Sequence, residues 1–471
     1  MTVALGACLL NDKGVLESTI TYMIADEDST IRAFSSHVSS IIEEAITHGV
    51  GRGRETYNCM IGWSQCPDHP QIEEVMSTAD AGLLLALLWG DREQFFRVMS
   101  TTISPGLCGL VYVLWRYVIY KRQCRELSGP EAKRLKVQYT DILWRSHLST
   151  TLDQHKAYYL LHSLNSQGLK LWEENPKYIN LEDSKLIVRL IGHQMLRLTG
   201  VIAPENFPNA LSYAYHHSIR FVGCEDVLLD LFGGTFKQLW DLMEDLQDNK
   251  ETIIGIICEV FDWLSKILIC FATRCFDHSN LYNIVYLLST ELIHILDLIA
   301  KIMFFPDPKM AGMSPDALSH NRKFLIASSR LCICLSKTVS RDSLLEWFWP
   351  YYLDWQRYYR HLEFNRYLAA ESPDLRNYYV QCIQAWMTIW ESLGRRPETG
   401  MDCCMYLRCA DPCIPRGTGF TCERCTDNLY CGSRCQASDW VSNETSKEIC
   451  SHHTASFFAE WEGMRGYGFK S

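Results

Sequence analysis

From Ser29 to about Gly394, almost every readable segment spaces its apolar residues three and four positions apart. That period limits this stretch of the chain to helices. Ser29 is a plausible N-cap, since its hydroxyl can accept from free backbone N–H groups. Ile31, Phe34, Val38, Ile41 and Ala45 then recur on one face, and Gly49 supplies a stop. Similar runs are expected at about 77–99, 104–121, 151–167, 181–200, 223–247, 252–276, 280–305, 314–338, 342–364 and 374–394. Short punctuation separates them, such as Gly233-Gly234, Pro306-Asp307-Pro308 and Glu371-Ser372-Pro373. No set of alternating strands appears. The expected fold class is mainly α and multi-helical, and so many consecutive helices suit a solenoid-like stack of antiparallel pairs.

Two of these runs are greasy enough to be tested as membrane spans. Ile253 to Phe271 carries Glu259, Asp262 and Lys266, and Ile284 to Phe305 carries Thr290, His294, Asp297 and Lys301. Each set forms one polar stripe at helical period. A span would bury those charges in hydrocarbon, so both read as core helices with one wet edge. Met1 to Leu10 has no basic n-region and does not read as a signal peptide. The expected location is cytoplasmic, nuclear or both, with no membrane partner.

The chain has 471 residues, more than a single core usually holds, and two or three structural units are expected. Its net charge of -10 is unfavourable for direct contact with nucleic acid. The short run Lys133-Arg134-Leu135-Lys136 reads as a solvated helix turn. Gly49 to Gly53 follows a helix rather than a strand and lacks a Gly-Lys-Ser/Thr ending, so it is no phosphate loop. Cys59, Cys66 and His69 lack a fourth ligand and read as ordinary loop residues. The aromatic stretch from Trp347 to Tyr359 places Phe348, Tyr352, Trp355 and Tyr359 on one face, with Pro350 marking a kink. Core packing explains that face most simply; a partner groove is the alternative.

The cysteines are uneven. Of 21, nine lie between Cys403 and Cys450, and scattered ones such as Cys258, Cys270 and Cys332 fall within apolar helical patterns. After the linker around Arg396 to Asp402 come Cys409-x3-Cys413, Cys422-x2-Cys425, Cys431-x3-Cys435 and Cys450. Thiolates two or three residues apart can face one centre, and zinc takes four such ligands in a tetrahedron. Cys403 and Cys404 compete for a place in the first knuckle. The expected module spans residues 403–455, followed by a tail at 456–471.

The stretch from Cys422 to Cys431, followed by Cys435-Gln436-Ala437-Ser438-Asp439-Trp440, resembles the core of the MYND zinc finger. The resemblance covers about a tenth of the chain. It implies two structural zinc ions, the first held by Cys409, Cys413, Cys431 and Cys435, the second by Cys422, Cys425 and a C-terminal pair. That family closes with His-x3-Cys, whereas here Ser446 stands where the histidine belongs before Cys450. His453, three residues beyond Cys450, is the expected substitute, with His452 as the alternative. The resemblance also implies docking of short, often proline-rich peptides, with Gln436 and Trp440 as contact residues.

The expected function is therefore an adaptor or scaffold protein with a peptide-docking finger and no catalytic role for the zinc. A MYND-associated protein methyltransferase or a transcriptional regulator is the alternative. The cofactor and SET segments of such a methyltransferase are not found, nor is any Walker, nucleophile-elbow or metalloprotease motif.

Overall fold

The computed structural model describes residues 27–52, 61–63, 76–102, 104–124, 128–174, 180–196, 206–218, 223–244, 250–274, 294–309, 312–393, 401–404, 413–415, 417–421 and 429–442, and the single positions 74, 202, 286, 291, 406 and 409. These residues fall into two compact units, one within 1–245 and 274–284, the other within 246–273 and 285–471. The protein is mainly α and multi-helical, as the apolar period implies.

The first unit contains α1 (Glu27–Arg52), α2 (Thr78–Gly90), α3 (Arg92–Thr101), α4 (Leu107–Gln123), α5 (Gly129–Leu148), α6 (His155–Leu164), α7 (Ser166–Glu174), α8 (Leu181–Leu196), α9 (Phe207–Ser218) and α10 (Glu225–Glu244). Phe34, Val38 and Ile42 of α1 join Leu85 of α2, Leu114 of α4, Ile142 of α5 and Leu161 of α6 in one core. Below it lies a buried polar knot. The Arg145 guanidinium donates to both carboxylate oxygens of Asp183, at 2.6 and 2.7 Å, and through Nε to Asp141 at 2.7 Å. Asp141 also accepts from Trp172 Nε1 at 3.0 Å and from the Tyr213 hydroxyl at 2.9 Å. Such a network fixes α5, α7, α8 and α9 in one register, because each buried charge needs all its partners.

Two expected stops are not stops. α1 runs through Gly49, since one interior glycine costs only about 1 kcal/mol of helix propensity. Gly233 and Gly234 lie inside α10 rather than between helices. The reason is packing: α8 and α10 approach so closely that a Cβ on Gly192 would stand 2.6 Å from the Asp230 backbone, and one on Gly234 2.6 Å from the Gly192 carbonyl oxygen. Glycine here makes room for a neighbouring helix.

The second unit holds α11 (Lys250–Arg274), a helical run at 294–303, α12 (Pro315–Thr338), α13 (Arg341–Phe348), α14 (Tyr352–Leu368) and α15 (Pro373–Leu393). α12 packs along α15, as does α14. Ser314 and Ser340 start α12 and α13 by accepting from the backbone N–H three residues on. α11 keeps Glu259 and Lys266 exposed and buries Ile257, Val260, Phe261 and Leu264. No described helix is long and apolar enough to cross a membrane.

Pro350 does break the aromatic run, in a 3-10 turn over Trp349–Tyr351 between α13 and α14. The face of Phe348, Tyr352 and Trp355 is buried against α15: Trp355 stands 6.2 Å from Trp386 and 4.4 Å from Trp390, ring centre to ring centre. Those three residues are core, as packing against α15 requires, and Tyr359 is half-buried at its edge. Cys258 and Cys332 are buried in the same unit, and burial pushes both thiols up to about 12, as suits inert core cysteines.

Beyond α15 the period changes. β1 (Met401–Cys403) pairs antiparallel with β2 (Cys413–Pro415), and β3 (Phe420–Thr421) with β4 (Leu429–Tyr430), before α16 (Ser433–Ser442) closes the segment. β1 begins at Met401, within the expected linker.

Candidate metal centre

Four of the clustered cysteines meet at one point. The sulfur atoms of Cys404, Cys409, Cys431 and Cys435 all lie within 4.8 Å of one another. Cys431 Sγ is 3.3 Å from Cys435 Sγ and 3.5 Å from Cys409 Sγ, and Cys409 is 3.7 Å from Cys435. Four thiolates about 2.3 Å from a tetrahedral zinc stand about 3.8 Å apart, so the cluster fits such an ion.

Each ligand is placed by its own local device. Cys404 directly follows β1, and the Cys409 N–H donates to the Tyr406 carbonyl at 3.0 Å in a tight turn, which folds the two cysteines toward each other. Cys431 directly follows β4, and Cys435 sits in the first turn of α16. Gly417, at φ +82°, turns the chain back between β2 and β3. Beneath the sulfurs lies a small core in which Cys404, Ile414 and Tyr430 are buried and Tyr406, Cys409, Leu429 and Cys435 pack at its edge.

The protons of the cluster are unevenly held. Desolvation opposes ionisation of Cys431, but hydrogen bonds from Cys435, Cys409 and Cys404 outweigh it and hold that thiol below its ordinary value. Desolvation, followed by the hydrogen bond with Cys431, pushes Cys435 up to about 11. A metal ion held here would displace these protons, and four thiolates would leave it no position for a reacting water.

Three of the four cysteines expected at the first site, Cys409, Cys431 and Cys435, converge. The fourth member of the described cluster is Cys404, the competitor named from the sequence. Cys413 stands in β2 with its backbone opposite Cys403, and neither of their side chains is among those described. Cys422, Cys425, Cys450, His452 and His453 lie outside the described residues, as do Cys59, Cys66 and His69. Gln436 and Trp440 both lie on α16, and Gln436 is half-buried. The signal for Cys404 was available in its adjacency to Cys403; what spacing alone does not show is which of a Cys-Cys pair leaves a strand toward the cluster. Compared with known proteins, the chain matches no family model, no curated protein and no solved structure.

Proposed function

We propose that this protein is a zinc-binding adaptor whose C-terminal module docks short, proline-rich peptides of partner proteins. The observation that carries the reading is that the Cys404, Cys409, Cys431 and Cys435 sulfurs lie within 4.8 Å of one another, close enough to share one ion. The Cys-x2-Cys…Cys-x3-Cys spacing and the Gln436…Trp440 element resemble the MYND finger, whose two zinc ions are structural. In this reading Cys404 takes the place that the resemblance gave to Cys413, and a second ion is held by Cys422, Cys425, Cys450 and His453. A closed four-thiolate site supports binding rather than catalysis, because no ligand position is left for chemistry. A peptide would lie extended along the module, with Gln436 supplying a hydrogen bond and Trp440 an apolar face. The helical region would act as the scaffold.

The test is an array of proline-rich peptides probed with the full chain, zinc-loaded and after chelation. Binding that needs zinc and is lost in Gln436→Ala or Trp440→Ala is the expected result. Binding that is absent, or indifferent to zinc and to both substitutions, overturns the reading.

A further inference from the structure

The four cysteines are not equally sheltered. Cys404 is fully buried beside Ile414 and Tyr430, Cys409 and Cys435 are half-buried, and Cys431 is exposed. The flank of Cys431 is also open among the described residues: a Cβ on the next residue, Gly432, would meet none of their atoms within 4 Å. A second sulfur is close behind it, since Cys435 Sγ lies 3.3 Å away, nearer than Cys409 Sγ at 3.5 Å. α16 fixes Cys435 there, with its Gln436 N–H donating to the Gly432 carbonyl at 3.2 Å. An accessible thiolate with a second thiolate in contact is the arrangement in which oxidation stops at a disulfide rather than climbing to a sulfinic acid.

We propose that Cys431 is the peroxide-sensitive ligand of the cluster and that its disulfide with Cys435 releases the metal, so that oxidant level controls whether the module is folded. The inference rests on the metal reading above. The Cys431 thiolate attacks hydrogen peroxide; the O–O bond breaks, an S–O bond forms and hydroxide leaves. The Cys435 thiolate then attacks the sulfenic sulfur, forming the S–S bond and expelling a second hydroxide. Two thiolates give up two electrons, peroxide accepts them, and two protons from solvent turn the two hydroxides into water. Cys404 and Cys409 alone cannot complete a tetrahedron, so the zinc leaves. A thiol reductant reverses the disulfide and restores all four ligands.

The experiment titrates the zinc-loaded full chain with hydrogen peroxide, reading released zinc with a chromogenic chelator and mapping disulfides by peptide mass spectrometry. The expected result is one zinc released per Cys431–Cys435 disulfide formed, with zinc rebinding after dithiothreitol. Cys124, exposed in the helical region, serves as an internal measure of oxidant exposure. Gly432→Leu leaves every ligand in place but covers the open flank, and it slows release several-fold. Zinc release without that disulfide, zinc retention at peroxide levels that oxidise Cys124, or an unslowed Gly432→Leu variant overturns the inference. A chain that carries no zinc before peroxide is added overturns the metal reading beneath it, which the starting zinc content distinguishes.

Discussion

The helical units and the cysteine module keep their shape by different means. The helices bury whole aromatic side chains, among them Trp144, Trp172 and Trp386, and a hydrogen-bonded polar network that joins Arg145, Asp141, Asp183, Trp172 and Tyr213. The described part of the module buries only Cys404, Ile414 and Tyr430. Full burial of an apolar side chain is worth about 1.5–3 kcal/mol, whereas ordering each residue costs about 1–2 kcal/mol. The described residues of the module bury little apolar surface to set against that cost, whereas the helices bury a great deal; in the proposed reading a bound metal makes up the difference. Segments joined in one polypeptide can thus draw on unrelated sources of stability.

The sharpest way to break that contrast is to remove the metal. Structural zinc contributes about 10–16 kcal/mol in small finger peptides, so chelation should abolish backbone protection at β1–β4 and α16. Hydrogen exchange read by mass spectrometry should show α4 and α5 unchanged in the same sample. Loss of protection in both regions would mean that the helices lean on the metal too.

The converse perturbation strikes the helices alone. Asp183→Ala leaves the buried Arg145 guanidinium without its two-pronged partner, a loss of about 3–5 kcal/mol. Denaturant melts should show the first unit destabilised by that amount while zinc content stays at the wild-type value.

A smaller effect separates the regions by pH. His162 is buried against His147, their ring nitrogens 3.0 Å apart, and burial, then the charges of His147 and His155, hold it well below its ordinary value. The unfolded chain takes up this proton near pH 6.5 and the folded chain does so only at lower pH. The contribution is therefore whole above about pH 6.5 and declines as the pH falls below it, by at most about 1.4 kcal/mol per pH unit. Thermal melts of the wild type and His162→Gln between pH 7.5 and 5.5 should converge toward acid. Parallel curves would remove His162 from the account.

How much of this was legible in the sequence differs between the same two regions. Helices with a plain apolar stripe, such as α8 and α11, could be read directly from their spacing. α5 could not, because its second half buries Asp141, Arg145 and His147 at positions that periodicity reserves for apolar residues. Only tertiary partners on α6, α7, α8 and α9 make those residues interior. Gly234 misled for a related reason, since a close helix crossing and a turn favour the same residue. In the module, knuckle spacing marked the cysteines as zinc ligands, and the MYND resemblance grouped three of the cluster's four in one site. The choice among Cys403, Cys404 and Cys413 could not, since it turns on how β1 and β2 pair and where the chain leaves them.

That choice is also the most direct test of the central claim, that Cys404 completes the four-sulfur centre with Cys409, Cys431 and Cys435. Zinc per chain should be measured on the purified full chain and on Cys404→Ser and Cys413→Ser variants. Two zinc ions are expected in the wild type and in Cys413→Ser, and one in Cys404→Ser. Full zinc in Cys404→Ser together with loss in Cys413→Ser would contradict it.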